Sequence, residues 1–258
     1  DPTDVESELS EMTKLICLTH SSNVTGSIQP IHEIGKIARE NGIAYLVDAA
    51  QSAGVLPIDM LSCGIDMLVF TGHKSLYGPQ GTGGVILSDH IVEKLTPLMQ
   101  GGTGIISDEP NHENLPLPDR FEAGTHNTHG LVGLKAGLDF INQIGIERIH
   151  KYEMSLTRRL IEGLYQQRGV TLYGPANSSR RLAVVSFNMD RFSPDELGHI
   201  LDKSFGVVCR SGLHCAPLAH KRIGSYPLGG TVRFGLGYFN TQEEVESVLG
   251  FIEQINNA

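Results

Sequence analysis

The stretches AYLVDAAQ (Ala44–Gln51) and MLVFTGHK (Met67–Lys74) each begin with an apolar run and end with polar side chains. Short apolar runs bounded by turn residues are typical of buried strands, and open α/β sheets bind ligands at the carboxyl ends of their strands. Asp48 ends the first run, and Lys74 follows the second. We therefore expect a carboxylate and an amine at the same edge of a sheet.

An amphipathic helix precedes these stretches. The run LICLT (Leu15–Thr19) is followed by PIHEIGKIAREN (Pro30–Asn41), whose isoleucines recur with a helical period after an opening proline. This order of strand, helix and strand predicts an α/β fold with a mostly parallel sheet covered by helices. The stretch Thr96–Asp119 is rich in Gly, Pro, Asn and acidic residues without a period, which indicates a long functional or mobile loop.

The second half of the chain mixes helices and strands in another order. Two capping boxes, SPDE (Ser193–Glu196) and TQEE (Thr241–Glu244), predict the starts of two helices. The other predicted elements are strands at Gly83–Ser88, Val170–Gly174, Ala183–Met189, Gly206–Gly212 and Thr231–Gly237, and helices at His129–Gln143 and Ile146–Gln167. We predict a large cofactor-binding domain over residues 1–145 and a smaller C-terminal α+β domain over residues 146–258.

The composition is that of an ordinary globular protein. Of 258 residues, 40% are hydrophobic and 19% are charged. The net charge of −9, without a basic run, argues against nucleic acid or an anionic membrane as a partner. No apolar stretch reaches the roughly 18 residues of a membrane helix, and no signal peptide is visible. Four cysteines without a CxxC pair favour a cytoplasmic location.

Polar residues around the two strand ends suit pyridoxal phosphate (PLP). They are Asp48, Gln51, Thr71, His73 and Lys74. A lysine forms a Schiff base with PLP, and a carboxylate keeps the pyridine nitrogen protonated so that the ring accepts electrons. The alternative is a plain ion pair between Asp48 and Lys74, because exposed pairs are common and weak.

Five motifs, in order, resemble those of class V aminotransferases. They are THSSN, DAAQ, TGHK, RFEAGTHNT and RSGLHCAP, and the similarity covers essentially the whole chain from about Lys14. It is closest to the cysteine desulfurase and selenocysteine lyase branch, of the SufS-like type. The resemblance implies the type I fold of PLP-dependent transferases. Members carry a portion ahead of this point, so we expect the chain to be an N-terminally truncated member, about its C-terminal two-thirds.

The resemblance implies a role for each residue near the cofactor. Lys74 binds PLP covalently. Asp48 pairs with the pyridine nitrogen, and Gln51 hydrogen-bonds the ring hydroxyl. Thr71 and His73 contact the phosphate, and His73 also belongs to the catalytic motif.

Other matching residues are implied to act on the substrate or across a subunit boundary. Asn23 lies near the cofactor and the substrate carboxylate. Arg233 binds that carboxylate, since a guanidinium docks on it in a bidentate manner, and Arg210 lies in the same substrate region. Thr125, in the AGT segment, reaches the phosphate of the neighbouring subunit, which implies a homodimer.

Cys215 is the candidate nucleophile. It follows His214, and Arg210 precedes it, and both are neighbours of a type that can stabilise a thiolate, as can the helix start expected in CAPLAHKR. The alternative is a small apolar core residue, which suits Cys209 better. His214, Cys215 and His220 lack the paired spacings of a metal site, so no metal is expected.

The implied activity is that of a PLP-dependent cysteine desulfurase. L-cysteine is converted to L-alanine, a persulfide forms on Cys215, and an acceptor protein takes the sulfur, as in iron–sulfur cluster assembly. One alternative is a selenocysteine lyase or another class V lyase or aminotransferase. The other, from a different class, is a truncated, non-catalytic scaffold that keeps the fold without the cofactor.

Overall fold

The computed structural model describes residues 1–102, 115–177 and 180–257. The chain forms two compact units, each assembled from several segments. The first comprises Asp1–Leu18, Ile31–Ala50 and Ile58–Phe140, and the second comprises Thr19–Pro30, Gln51–Pro57 and Ile141–Ala258. The predicted domain boundary between residues 145 and 146 stays a prediction.

The first unit is built on a four-stranded sheet. Its strands, in spatial order, are β1 (Leu15–Thr19), β2 (Ala44–Asp48), β3 (Met67–Thr71) and β4 (Gly83–Leu87). β2 and β3 are parallel, whereas β4 is antiparallel to β3. The connection Gly72–Thr82 contains no helix, and a parallel crossover needs a dozen or more residues, usually helical. The helices are α1 (Pro2–Ser7), α2 (Ile31–Glu40), α3 (Asp89–Val92) and the start of α4 (Thr128–Ile144).

Helix α2 confirms the predicted amphipathic helix and shows why its period matters. Ile31, Ile34 and Ala38 are buried on one face. On the same face, a Cβ on Gly35 would lie 1.8 Å from the carbonyl oxygen of Cys63, so only glycine lets the helix approach this segment.

The second unit contains a four-stranded antiparallel sheet. β5 (Val170–Tyr173), β6 (Val184–Met189), β7 (Arg210–Gly212) and β8 (Thr231–Gly235) are arranged in the order β5-β6-β8-β7. The helices are α5 (Ile146–Gln166), α6 (Pro194–Phe205), α7 (Pro217–Arg222) and α8 (Gln242–Asn257). Apolar side chains from α5, α6, α8 and the sheet form one core, including Leu160, Leu164, Phe187, Leu197, Val232 and Ile252.

The strand predicted at Gly206–Gly212 is wrong in its first half, because β7 begins only at Arg210. Gly206 adopts a left-handed conformation (φ 67°) after α6. Its N–H donates to Asp202 O at 3.0 Å, and Val207 N–H donates to Leu201 O at 2.9 Å. The bond from Gly206 N–H to Asp202 O is that of an αL C-cap, and Val207 N–H also bonds to the last turn of the helix. The backbone of this segment therefore completes the helix end instead of extending the sheet.

Two further expectations concern features outside the sheets. In the predicted loop Thr96–Asp119, residues 103–114 lie outside the described residues, and residues 96–102 and 115–118 form neither an α-helix nor a strand. None of the helices in the described part of the chain is long and apolar enough to cross a membrane.

Candidate active site

The segment after β3 is a tightly packed turn that carries Lys74. Gly72 N–H donates to Thr82 O at 2.9 Å, Gly78 N–H donates to Gly72 O at 2.8 Å, and Tyr77 N–H donates to Lys74 O at 3.0 Å. A Cβ on Gly72 would lie 2.1 Å from Thr82 Oγ1, so this close approach requires glycine. The Lys74 side chain itself is exposed. A turn held by backbone hydrogen bonds therefore presents the exposed amine of Lys74 just beyond the end of β3.

Three other predicted cofactor residues lie at the same edge of the sheet. Asp48 ends β2 opposite Val69, and the parallel strand β3 continues from Val69 to Thr71. Thr71 Oγ1 lies 2.7 Å from His73 Nδ1. Asp48 Oδ1 accepts a hydrogen bond from Ala50 N–H at 2.9 Å, which orients the carboxylate.

This donor set fits PLP chemically. The amine of Lys74 suits the aldehyde, and the carboxylate of Asp48 suits a protonated pyridine nitrogen. The paired hydroxyl and imidazole of Thr71 and His73 suit a phosphate. The four residues belong to one unit and lie on or just beyond the ends of two neighbouring strands.

Two predicted cofactor residues lie elsewhere. Gln51 is half-buried in the turn after β2 and belongs to the second unit. Thr125 is exposed in the first unit and follows Gly124, whose φ of 94° requires the conformational freedom of glycine. Their contacts with PLP stay predictions.

Two arginines face each other in the second unit. Arg210 of β7 stands directly opposite Arg233 of β8 in the antiparallel ladder. Burial and, to a lesser extent, the charge of Arg210 lower the pKa of Arg233. Like charges directly opposite each other destabilise a sheet, so an anion bound here would relieve their repulsion. The pair is therefore suited to a carboxylate.

Cys215 is exposed in the turn between β7 and α7. It lies near enough to Arg233 to raise the pKa of that guanidinium electrostatically, against the larger lowering by burial. Helix α7 begins at Pro217, slightly later than the predicted helix start at Cys215. Cys209, in contrast, is half-buried against the core, and burial raises the pKa of its thiol. Of these two thiols, only that of Cys215 is exposed.

His214 differs from the expectation that it stabilises a thiolate by its charge. Its side chain is only 5% exposed, and Nε2 lies 2.9 Å from Thr231 Oγ1. Burial, assisted by the charges of Arg233, His220 and Arg210, lowers the pKa of His214 to about 4. The ring is therefore neutral at pH 7 and does not stabilise a thiolate by its charge. The sequence does not reveal the burial that causes this.

The second buried histidine of this region is also hydrogen-bonded. His220 Nδ1 lies 2.7 Å from Ser225 Oγ, and its ring centroid is 5.3 Å from that of His214. Among residues 1–102, 115–177 and 180–257, no three or more His, Cys, Asp or Glu side chains are grouped so that they could hold a metal ion.

Asn23 makes contacts that the sequence did not indicate. Its side-chain Nδ2 donates to the backbone oxygen of His214 at 2.6 Å, and its own backbone oxygen accepts from Arg233 Nη1 at 2.7 Å. Thr231, which holds the His214 ring, was also not predicted. No sequence signal identifies these contacts, because Asn23 and His214 are 191 positions apart.

The buried neutral state of His214 predicts a pH dependence of stability. Its pKa of about 4 lies below the ordinary value of 6.5, so the unfolded chain binds more protons between these two pH values and stability falls as pH falls through this window. For His214→Asn we expect the loss of unfolding free energy between pH 7 and pH 5 to be smaller by about 2 kcal/mol.

This dependence is measured by urea unfolding at a series of pH values. His199→Asn, at an exposed position, is the control and should leave the slope of stability against pH unchanged. An unaltered slope in His214→Asn would show that folding does not lower the pKa of this histidine.

The comparisons with known proteins establish the class of protein. The family model described as aminotransferase class-V matches residues 1–248, so the chain belongs to the class-V aminotransferase family. Family membership implies PLP as the cofactor, in agreement with the donor set around Lys74.

Relatives that match nearly the whole chain are named cysteine desulfurases. A probable cysteine desulfurase of Methanothermobacter thermautotrophicus is 39% identical over 99% of this chain and 64% of its own length. A cysteine desulfurase of Salmonella newport is 36% identical over 95% of this chain and 59% of its own length. The chain thus spans about 60% of the length of the curated relatives it matches.

A solved structure confirms the predicted α/β fold of type I. The apo structure of a cysteine desulfurase from Thermococcus onnurineus NA1 superposes with a TM-score of 0.93 at 38% identity. The match covers 100% of this chain and 63% of that chain.

Proposed function

We propose that the protein acts as a PLP-dependent cysteine desulfurase, which converts L-cysteine to L-alanine and transfers the sulfur through Cys215. The observation that carries this proposal is the exposed thiol of Cys215 beside the opposed pair Arg210 and Arg233. A thiol next to a carboxylate-binding patch is the arrangement that removal of sulfur from an amino acid needs.

The residues of the first unit are proposed to hold the cofactor and move a proton. Asp48 holds the pyridine nitrogen, Gln51 of the second unit binds the ring hydroxyl, and Thr71 and His73 bind the phosphate. PLP, when bound, supplies an electron sink that weakens bonds at the substrate Cα. Lys74 would hold PLP through its amine, and the same amine is placed to accept the proton from the substrate Cα.

The residues of the second unit are proposed to bind the substrate and take its sulfur. Arg233, with Arg210, binds the carboxylate through charge-assisted hydrogen bonds. The Cys215 sulfur forms a bond to the substrate sulfur while the substrate Cβ–S bond breaks. The electron pair of that bond stays with carbon, which takes up a proton and becomes the methyl group of alanine. Carbon is reduced and sulfur is oxidised to the persulfide, so no further redox reagent is needed.

The partners follow from the same proposal. The persulfide sulfur passes to an acceptor protein, in a process such as iron–sulfur cluster assembly, and the enzyme works in the cytoplasm. Thr125 contacts the PLP phosphate of a second subunit in a homodimer. The exposure of Cys215 and of Thr125 supports both contacts, because each side chain is accessible to another protein.

The test is to incubate the chain with PLP and L-cysteine and to measure alanine and the mass of the Cys215 peptide. We expect alanine and a peptide heavier by one sulfur atom. Cys209→Ser, at the half-buried thiol, is the control and should behave like the wild type. Release of selenium from selenocysteine without alanine from cysteine would favour the lyase alternative. If no PLP binds, the scaffold alternative holds for this chain.

A further inference from the structure

The turn that carries Cys215 has an unusual backbone. Ala216 N–H donates to Leu213 O at 2.8 Å and closes a four-residue turn. The two central residues, His214 and Cys215, have φ values of 49° and 60°. Positive φ at both central positions is the pattern of a type I′ turn, which normally contains Gly, Asn or Asp because other side chains are strained there. Such strain persists only where surrounding contacts hold it.

Those contacts converge on His214 and leave the thiol free. The buried ring lies 2.9 Å from Thr231 Oγ1, and the backbone oxygen of His214 accepts the 2.6 Å bond from Asn23 Nδ2. One anchor acts on the side chain and the other on the main chain of the same residue. Cys215 remains exposed.

Asn23 is itself held firmly within the second unit. Ser22 Oγ accepts hydrogen bonds from Val24 N–H at 3.2 Å and from Thr25 N–H at 3.1 Å, which fixes the loop that contains Asn23. Ser186 Oγ of β6 donates to Val24 O at 2.6 Å and fastens this loop to the sheet. The amide of Asn23 therefore reaches the turn from a rigid support.

The same asparagine also connects the turn to the arginine that is suited to a carboxylate. Arg233 Nη1 donates to Asn23 O at 2.7 Å, and Asn23 Nδ2 donates to His214 O. The resemblance implied that Asn23 contacts the substrate. In the structure its amide nitrogen donates to the main chain of the residue before Cys215, and the substrate contact stays a prediction.

We propose that Asn23 is a positioning residue for Cys215, which holds the thiol-bearing turn in its left-handed conformation through the bond to His214 O. This effect on the turn is transmitted through His214 and requires no bound substrate. The conformation of the turn needs no cofactor, so the role of Asn23 in the turn does not depend on catalysis. The effect of Asn23 on the sulfur-transfer step rests on the proposed desulfurase function.

The first experiment measures the turn directly, without PLP. Hydrogen exchange of the Ala216 amide reports whether the turn is closed, because this N–H bonds to Leu213 O. We expect Asn23→Ala to lower its protection at least tenfold. Asn23→Asp keeps the size but places an acceptor opposite the carbonyl oxygen, so it should cause a similar loss. The control is Asn41→Ala, which also removes an amide bond to a backbone oxygen, that of Ile37 at 2.8 Å.

The proposal is overturned if the hydrogen-exchange protection of the Ala216 amide stays within twofold of the wild type in both Asn23 variants. It is also overturned if Asn23→Ala loses this protection and Asn23→Asp keeps it. Should Asn23→Ala fail to fold, as judged by circular dichroism, Asn23→Asp alone decides.

The second experiment separates positioning from substrate binding. For persulfide formation at saturating L-cysteine, we expect Asn23→Asp to lower kcat at least tenfold, because the thiol is misplaced even when the substrate is bound. KM is expected to rise as well, because the new carboxylate lies on the residue that Arg233 contacts and competes with the substrate carboxylate. A raised KM with unchanged kcat would show that Asn23 affects only substrate binding and would overturn the proposal. If the wild-type chain forms no persulfide, the proposed function fails, and the exchange of Ala216 still decides the role of Asn23.

Discussion

Replacing Lys74 with alanine is expected to abolish covalent attachment of PLP and to lower alanine formation from L-cysteine by about 10³-fold or more. The reason lies in the turn after β3, where the packing of Gly72 against Thr82 presents this amine at the sheet edge that Asp48 also occupies. Removing the amine removes both the anchor of the cofactor and the group that accepts the Cα proton.

The measurement is the visible absorption of the chain with PLP, followed by borohydride reduction and peptide mass spectrometry. In the wild type, PLP should be found on the peptide that contains Lys74. Lys94→Ala, at another exposed lysine of the first unit, is the matched control and should retain the label. Labelling of a different lysine in the wild type would contradict the assignment of Lys74.

Cys215→Ser is expected to lower alanine formation from L-cysteine on the order of 10³-fold. The reason is that the variant lacks the nucleophile that attacks the substrate sulfur, so the sulfur-transfer step is lost. PLP attachment should be unchanged, since the cofactor residues of the first unit are untouched. With selenocysteine the loss should be much smaller, because selenium leaves the substrate without a thiol acceptor.

Alanine is measured by its own assay and the persulfide by the mass of the Cys215 peptide. Cys17→Ser, which alters an exposed cysteine of β1, provides the control and should keep the full rate. Equal rates of alanine formation for Cys215→Ser and the wild type would assign sulfur transfer to a group other than Cys215.

Local patterns were sufficient to predict most of the architecture. The apolar runs that became β2 and β3 are bounded by turn residues on both sides, and the rule for parallel strands then placed Asp48 and the lysine turn at one edge. The capping box at Ser193 is present in the structure because it depends only on residues within one turn of helix.

The features that sequence reasoning missed depend on residues far apart in the chain. Cys209 belongs to an apolar run, yet the left-handed C-cap of α6 at Gly206 prevents the start of that run from joining β8. His214 is a possible cation by residue type, but burial makes it neutral. The bond from Asn23 to His214 requires knowledge of the complete second unit, and no local pattern contains it.

The discontinuous second unit has a consequence for synthesis on the ribosome. Its segments Thr19–Pro30 and Gln51–Pro57 are translated long before Ile141–Ala258, which supplies the rest of the unit. Asn23 precedes His214 by 191 residues, so at roughly 5–20 residues per second it waits about 10–40 s for its partner. The nascent chain therefore carries the early loop without its sheet, and the thiol turn can be completed only after His214 has been translated.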